Sequence, residues 1–138
     1  MIFIDANIFM YAAGKSSKQR RSCQEFLRHV CTAKPGTYFT NTEVLQEILH
    51  RYRSLNLPEV GVEIFDSLIK LDIKVLPVEL KSMLNARILI EQYTKLSTRD
   101  AVHAGVMQEH QVESIVTYNK GFNYVPWIEV LDPLDLNS

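Results

Sequence analysis

Ile2-Phe3-Ile4-Asp5 opens the chain with three apolar residues that a carboxylate closes. So short a run of β-formers reads as a buried strand with Asp5 at its carboxyl end. Outward from it, the pattern alternates. Asn7 to Ala13 reads as a short helix stopped by Gly14, and Ser16 or Ser17 caps a second that runs to about Cys31, with Phe26, Leu27 and Val30 inward. Pro35-Gly36 marks a turn before a strand at Thr37–Thr40, and a helix follows from about Thr42 to Arg53. Pro58 suits the first turn of a helix to about Leu71, ahead of a strand at Ile73–Leu76. A helical pattern spans Val78 to Tyr93. Thr98 caps another helix, from Arg99 to about His110, and strands follow at Ser114–Thr117 and Trp127–Leu131, with Pro133 beyond. This alternation predicts a single α/β domain over 1–138, with a mainly parallel central sheet of about four or five strands and helices on both faces.

Composition agrees with one globular domain. The 138 residues are 46% hydrophobic and 22% charged, and five Gly and five Pro are too few for a linker-rich or low-complexity chain. The net charge of −1 excludes a wholesale polycation. Lys15, Lys18, Arg20, Arg21, Arg28 and Lys34 nevertheless face Glu25 alone between residues 15 and 34, a local basic stretch open to an anionic partner or to plain solvation. Cys23 and Cys31, ~12 Å apart if they share a helix, are too distant for a disulfide. Reduced thiols, a start without a basic n-region and the absence of any apolar run near ~20 residues predict a cytoplasmic protein with no membrane partner.

Sites in open α/β sheets lie beyond the carboxyl ends of the strands. Asp5 follows the first strand, Asn41, Thr42 and Glu43 the second, and Asn119 the fourth, just after Thr117. Asp100 sits in the first turn of a helix that is small and apolar nearly all round, where a buried carboxylate needs a partner: Arg99, backbone N–H groups or a metal ion. Glu43 and Glu47 lie one turn apart, opposite the apolar side made by Val44, Leu45, Ile48, Leu49 and Tyr52. They read either as a solvated face with a Glu47–Arg51 ion pair or as metal ligands at the sheet edge. Carboxylates that converge repel one another unless protonated or bound to a cation, and hard oxygen donors select Mg²⁺ or Mn²⁺.

These residues resemble the PIN-domain family, and within it the VapC-type toxins. The resemblance spans nearly the whole chain. It rests on Phe3-Ile4-Asp5-Ala6-Asn7, Thr42-Glu43-Val44-Leu45-Gln46-Glu47-Ile48-Leu49, Ser97-Thr98-Arg99-Asp100-Ala101-Val102-His103-Ala104 and Ile115-Val116-Thr117-Tyr118-Asn119-Lys120-Gly121-Phe122-Asn123. It implies a Mg²⁺- or Mn²⁺-dependent ribonuclease, the toxin of a type II toxin–antitoxin pair. The acids carried over are Asp5, Glu47 and Asp100, which would hold the metal, with Glu43 a neighbour of Glu47. Thr117 matches the hydroxyl residue that orients the site, and Asn7 the small polar residue after the first acid. Asn119 completes the catalytic set but stands where an aspartate is common, and Asn123 where another acid is often found. An asparagine offers a carbonyl oxygen but no negative charge, which bears on a second metal more than on a first.

The reaction implied is hydrolysis of an RNA phosphodiester that leaves a 5′-phosphate and a 3′-hydroxyl. Arg99, Lys120, Arg51 and the basic stretch are candidates for backbone phosphates, and Tyr11, Tyr118 and Tyr124 for unpaired bases. Trp127 reads as a core residue ahead of a stacking one, and His50 and His103 as packing or surface residues. A cognate antitoxin would enter the acidic cleft, and a homodimer would form through apolar residues of the helices at 59–71 and 78–93. The alternative is a catalytically weak or inactive PIN-like module that binds RNA or a protein partner. An aspartyl phosphotransfer site fits poorly, because Asn7 stands where a second aspartate would be needed.

Overall fold

A computed structural model describes residues 1–136; the last two residues of the expected domain, 137–138, lie outside them. The elements in order are β1 (Ile2–Ile4), α1 (Ala6–Ala13), α2 (Lys18–Thr32), β2 (Tyr38–Asn41), α3 (Thr42–Ser54), α4 (Pro58–Lys70), β3 (Lys74–Leu76), α5 (Leu80–Gln92), α6 (Thr98–Glu109), β4 (Ser114–Val116) and β5 (Glu129–Leu131). Short 3₁₀ turns cover Lys120–Tyr124 and Pro133–Leu136.

All five strands run parallel, in the order β3-β2-β1-β4-β5. β1 is central. Ile2 and Phe3 pair with Tyr38 and Phe39 on one side, and Ile2, Phe3 and Ile4 with Ser114, Ile115 and Val116 on the other. Phe3, Ile4, Phe39, Ile115 and Val116 are fully buried, as the apolar run at the start of the chain required. From β1 the chain winds outward through β2 to β3, then returns past β1 to β4. Right-handed crossovers in opposite directions place α1–α4 on one face and the α5–α6 pair on the other. The reversal falls between β1 and β4, so a crevice opens beyond Ile4 and Val116.

Several boundaries differ from expectation for reasons of capping. Asp5 is the N-cap of α1, its side chain accepting from Ala6 N, so the helix starts at Ala6. Asn41 both ends β2 and caps α3. Ser97, not Thr98, caps α6 by accepting from Asp100 N. Glu79 caps α5 in a capping box with Ser82, which delays that helix to Leu80. Trp127 lies in the turn before β5, partly buried, rather than in the strand. Cys23 and Cys31 are both free, the first buried and the second exposed on α2.

Candidate active site

Asp5 is the hub of the crevice and only 4% exposed. Its Oδ1 accepts from Ala6 N at 2.7 Å, the bond that caps α1. Its Oδ2 accepts from Thr117 Oγ1 at 2.8 Å and, at 3.4 Å, from Asn7 Nδ2. Thr117 Oγ1 itself accepts from Asn7 Nδ2 and from Asn119 N, each at 2.9 Å. With those two donors in place, the hydroxyl has one proton to give, and it goes to Asp5. Asn7 Oδ1 accepts from Tyr118 N. Residues from β1, α1 and the end of β4 thus lock one carboxylate.

Glu47 reaches the same hub from α3. It is not on a solvated face: its side chain is 12% exposed, and Oε1 is hydrogen-bonded to His103 Nε2. The expected Glu47–Arg51 pair does not form. Arg99 stands against the glutamates instead, 3.7 Å from Glu43 and 4.0 Å from Glu47. His103 Nε2 is 3.7 Å from Asp5 Oδ1. One ligand atom from each of Asp5, Glu47 and His103 lies within 4.8 Å of the others. His103 is therefore part of the cluster, fully buried and flanked by the ring of Phe3, where the sequence suggested only packing or surface. Its spacing from Asp100, three residues along α6, is the signal that would have placed both on one side of that helix.

The tautomer of His103 follows from its other neighbour. Asn41 Oδ1 is committed to Val44 N as the cap of α3, so its Nδ2 donates to His103 Nδ1 at 3.0 Å. Nδ1 is then bare, and Nε2 carries the hydrogen that Glu47 accepts. Burial opposes a charge on this ring, but the Glu47 hydrogen bond and the charges of Asp5, Glu47 and Asp100 outweigh it and raise the pKa. The Asn41 donor works against that proton.

Asp100 enters from the first turn of α6 and is 8% exposed. Asn119 Nδ2 donates to both of its oxygens, at 3.0 and 2.9 Å, while Asn119 Oδ1 accepts from Gly121 N. The asparagine thus clamps Asp100 where an aspartate would repel it. Burial first, and the charge of Asp5 after it, push the Asp100 carboxyl above its ordinary range, against the Asn119 bond. Burial likewise raises Glu47, against the pull of His103. A β-carbon on Gly121 would lie 3.0 Å from Asp100 Oδ2 and from Asn119 Oδ1, so any larger residue would press on this clamp.

The other candidates scatter. Lys120 is exposed at the start of the 3₁₀ turn, and Asn123 is exposed within it. Arg51 lies one turn past Glu47, exposed and in no ion pair with the acids among the described residues. Tyr124 is 50% exposed with Lys95 Nζ 5.4 Å above its ring, and His50 is exposed.

The PIN domain family profile matches residues 2–128. This chain belongs to the PIN-domain family. Among relatives of this PIN domain, ribonuclease VapC13 of Mycobacterium tuberculosis is 35% identical over 131 residues, which cover 95% of this chain and 99% of that protein. Among solved structures, VapC20 of M. tuberculosis, a sarcin–ricin loop cleaving toxin, superposes with a TM-score of 0.73 at 17% identity, covering 94% of this chain and 98% of the other. VapBC2 of Rickettsia felis, bound to a promoter DNA fragment, gives 0.74 at 17% identity, with 96% and 98% covered.

Proposed function

We propose that this PIN domain is a divalent-metal-dependent endoribonuclease and the toxin of a toxin–antitoxin pair. The observation that carries the reading is the meeting of Asp5 and Glu47 from separate elements, with Asp100 close enough for the Asp5 charge to raise its pKa. Buried carboxylates driven toward protonation by burial and mutual repulsion fit a hard cation, which relieves both. Asp5, Glu47 and Asp100 are the residues that would hold Mg²⁺ or Mn²⁺. Bound there, the ion supplies Lewis-acid activation of water and neutralises charge on the phosphoryl oxygens. The chain's own part is orientation: Thr117 and Asn7 fix Asp5, His103 holds Glu47, and Asn119 holds Asp100. Ribonuclease VapC13, alike over nearly all of both chains, supports RNA as the substrate.

The test is direct. Asp5→Asn or Asp100→Asn should lower Mg²⁺-dependent RNA cleavage beyond the roughly 10- to 100-fold typical of losing an outer-shell partner, with the circular dichroism spectrum unchanged. Cleavage at the parental rate by either variant rejects the site. The amide clamp on Asp100 favours one competing reading, a weakly active module that binds RNA or a protein, because Asn119 occupies both carboxylate oxygens. Calorimetry with Mn²⁺ separates the two, since a module of that kind shows no binding from micromolar to millimolar ion.

The proposal includes a protein antitoxin, for which the VapBC2 complex is the structural precedent, and a homodimer. Leu80, Leu84 and Ile88 recur every four residues along α5 and lie 74%, 53% and 57% exposed, a stripe that a second copy would cover. It also places the protein in the cytoplasm. No helix among the described residues is long and apolar enough to cross a membrane.

A further inference from the structure

A concavity of about 540 Å³ opens beside the acidic cluster, between the outer turns of α1 and α3 and the segment that leads into α2. Asn7 forms its inner wall, and the same side chain donates to Thr117 and Asp5. The concavity therefore begins where the cluster ends. Two helices lead from one to the other. Tyr11 stands one turn beyond Asn7 on α1, and Arg51 stands one turn beyond Glu47 on α3. Lys15, just after α1, completes the wall.

The chemistry of this wall differs from that of the cluster. It contains Lys15 and Arg51 and no carboxylate. Both cations are exposed, and among the described residues neither makes an ion pair. Arg99, nearer the acids, has its charge set against Glu43 and Glu47. The Tyr11 ring is 43% exposed and held against Tyr118, with centroids 5.1 Å apart and planes at 76°. A ring fixed in this way loses little freedom when a base stacks on it.

We propose that this concavity is the subsite for the nucleotide adjoining the cleaved bond of single-stranded RNA, with Arg51 and Lys15 on its phosphate and Tyr11 stacked on its base. The inference rests on the ribonuclease reading above and deepens it. An acidic cluster repels a polyanion, so affinity has to come from cations that the carboxylates do not already neutralise. Arg51 and Lys15 meet that condition one helical turn away. Stacking on Tyr11 requires an unpaired base, which selects single strands over duplex.

The experiment uses the full chain. A fluorescently labelled single-stranded oligoribonucleotide is titrated in the Asp5→Asn background, with anisotropy as the readout across a range of salt. Arg51→Glu combined with Lys15→Glu is expected to weaken binding at least about 10-fold and to flatten the logarithmic salt dependence by about 0.7, the share of the one phosphate no longer neutralised. Tyr11→Ala is expected to weaken binding about 10-fold, and Tyr11→Phe, which keeps the ring, to bind as the parent does. In the cleaving background, the loss for the charge-reversed variant appears in KM more than in kcat. Parental affinity and salt slope in the charge-reversed variant overturn the subsite, as does equal behaviour of Tyr11→Ala and Tyr11→Phe. The two readings fail separately. A parent that cuts RNA beside groove variants that bind normally removes the subsite alone. A parent that never cuts, while the groove variants still lose RNA, removes the nuclease and leaves the subsite.

Discussion

Asp5 does two jobs with one carboxylate, because Oδ1 caps α1 while Oδ2 faces Thr117. Asparagine is as good an N-cap as aspartate, and alanine is not. Asp5→Asn is therefore expected to keep the cap, losing only the bond from Thr117 because its N–H₂ then faces that hydroxyl, whereas Asp5→Ala loses the cap as well and falls about 1 kcal/mol lower, read from urea midpoints. Similar midpoints for the two variants would show that the cap contributes nothing. Glu47 and Asp100 carry a pH signature of their own. Burial raises both above the ordinary carboxylate range, so in the metal-free protein they hold protons more tightly folded than unfolded. Their contribution to stability is complete below the ordinary range near ~4 and is lost as pH climbs through the raised values. A divalent ion competes with those protons. The rise in melting temperature with Mn²⁺ should grow between pH 4.5 and 7.5, and a flat profile would count against these ligands. At this scale the sequence was readable for Asp5, Asp100, Thr117 and Asn119, because strand ends and a helix start announce themselves locally.

The helices were legible as elements but less so in what they touch. The apolar side of α3 is drawn by Val44 and Ile48, which puts Glu47 on the opposite flank. That flank borders His103 of α6, a neighbour 56 residues away that no period of 3.6 encodes. His103 was missed for the same reason: its partners Asn41 and Glu47 come from α3 and its cap. The packing of α5 on α6 is equally hidden, and Gly105 sets it. A β-carbon there would lie 2.4 Å from Ser82 O and 3.1 Å from Ala86 N, both backbone atoms that cannot swing away. Gly105→Ala is expected to force the helices apart and to cost about 1–3 kcal/mol, measured as a lower denaturation midpoint with an unchanged slope. A parental midpoint would mean that the pair slides freely.

For the whole molecule, alternation of strand and helix was enough to predict a parallel α/β domain, yet not the order β3-β2-β1-β4-β5, which depends on where each crossover turns back. The exposed stripe Leu80–Leu84–Ile88 is likewise invisible until α5 is seen on the outside. If a second copy covers it, light scattering at high micromolar concentration reports a dimer, and Leu84→Glu reports a monomer. A monomeric parent under those conditions rejects the interface. The central place of β1 has one more consequence. The first strand made is not flanked on both sides until β4, which comes 112 residues after β1 starts, and Thr117 follows it. At roughly 5–20 residues per second, synthesis leaves Asp5 waiting on the order of 6–22 s for its hydroxyl partner. A ribosome that stalls before Ser114 releases a fragment with three of the five strands and an incomplete site, so whatever this protein does to a cell begins only once Thr117 has been made.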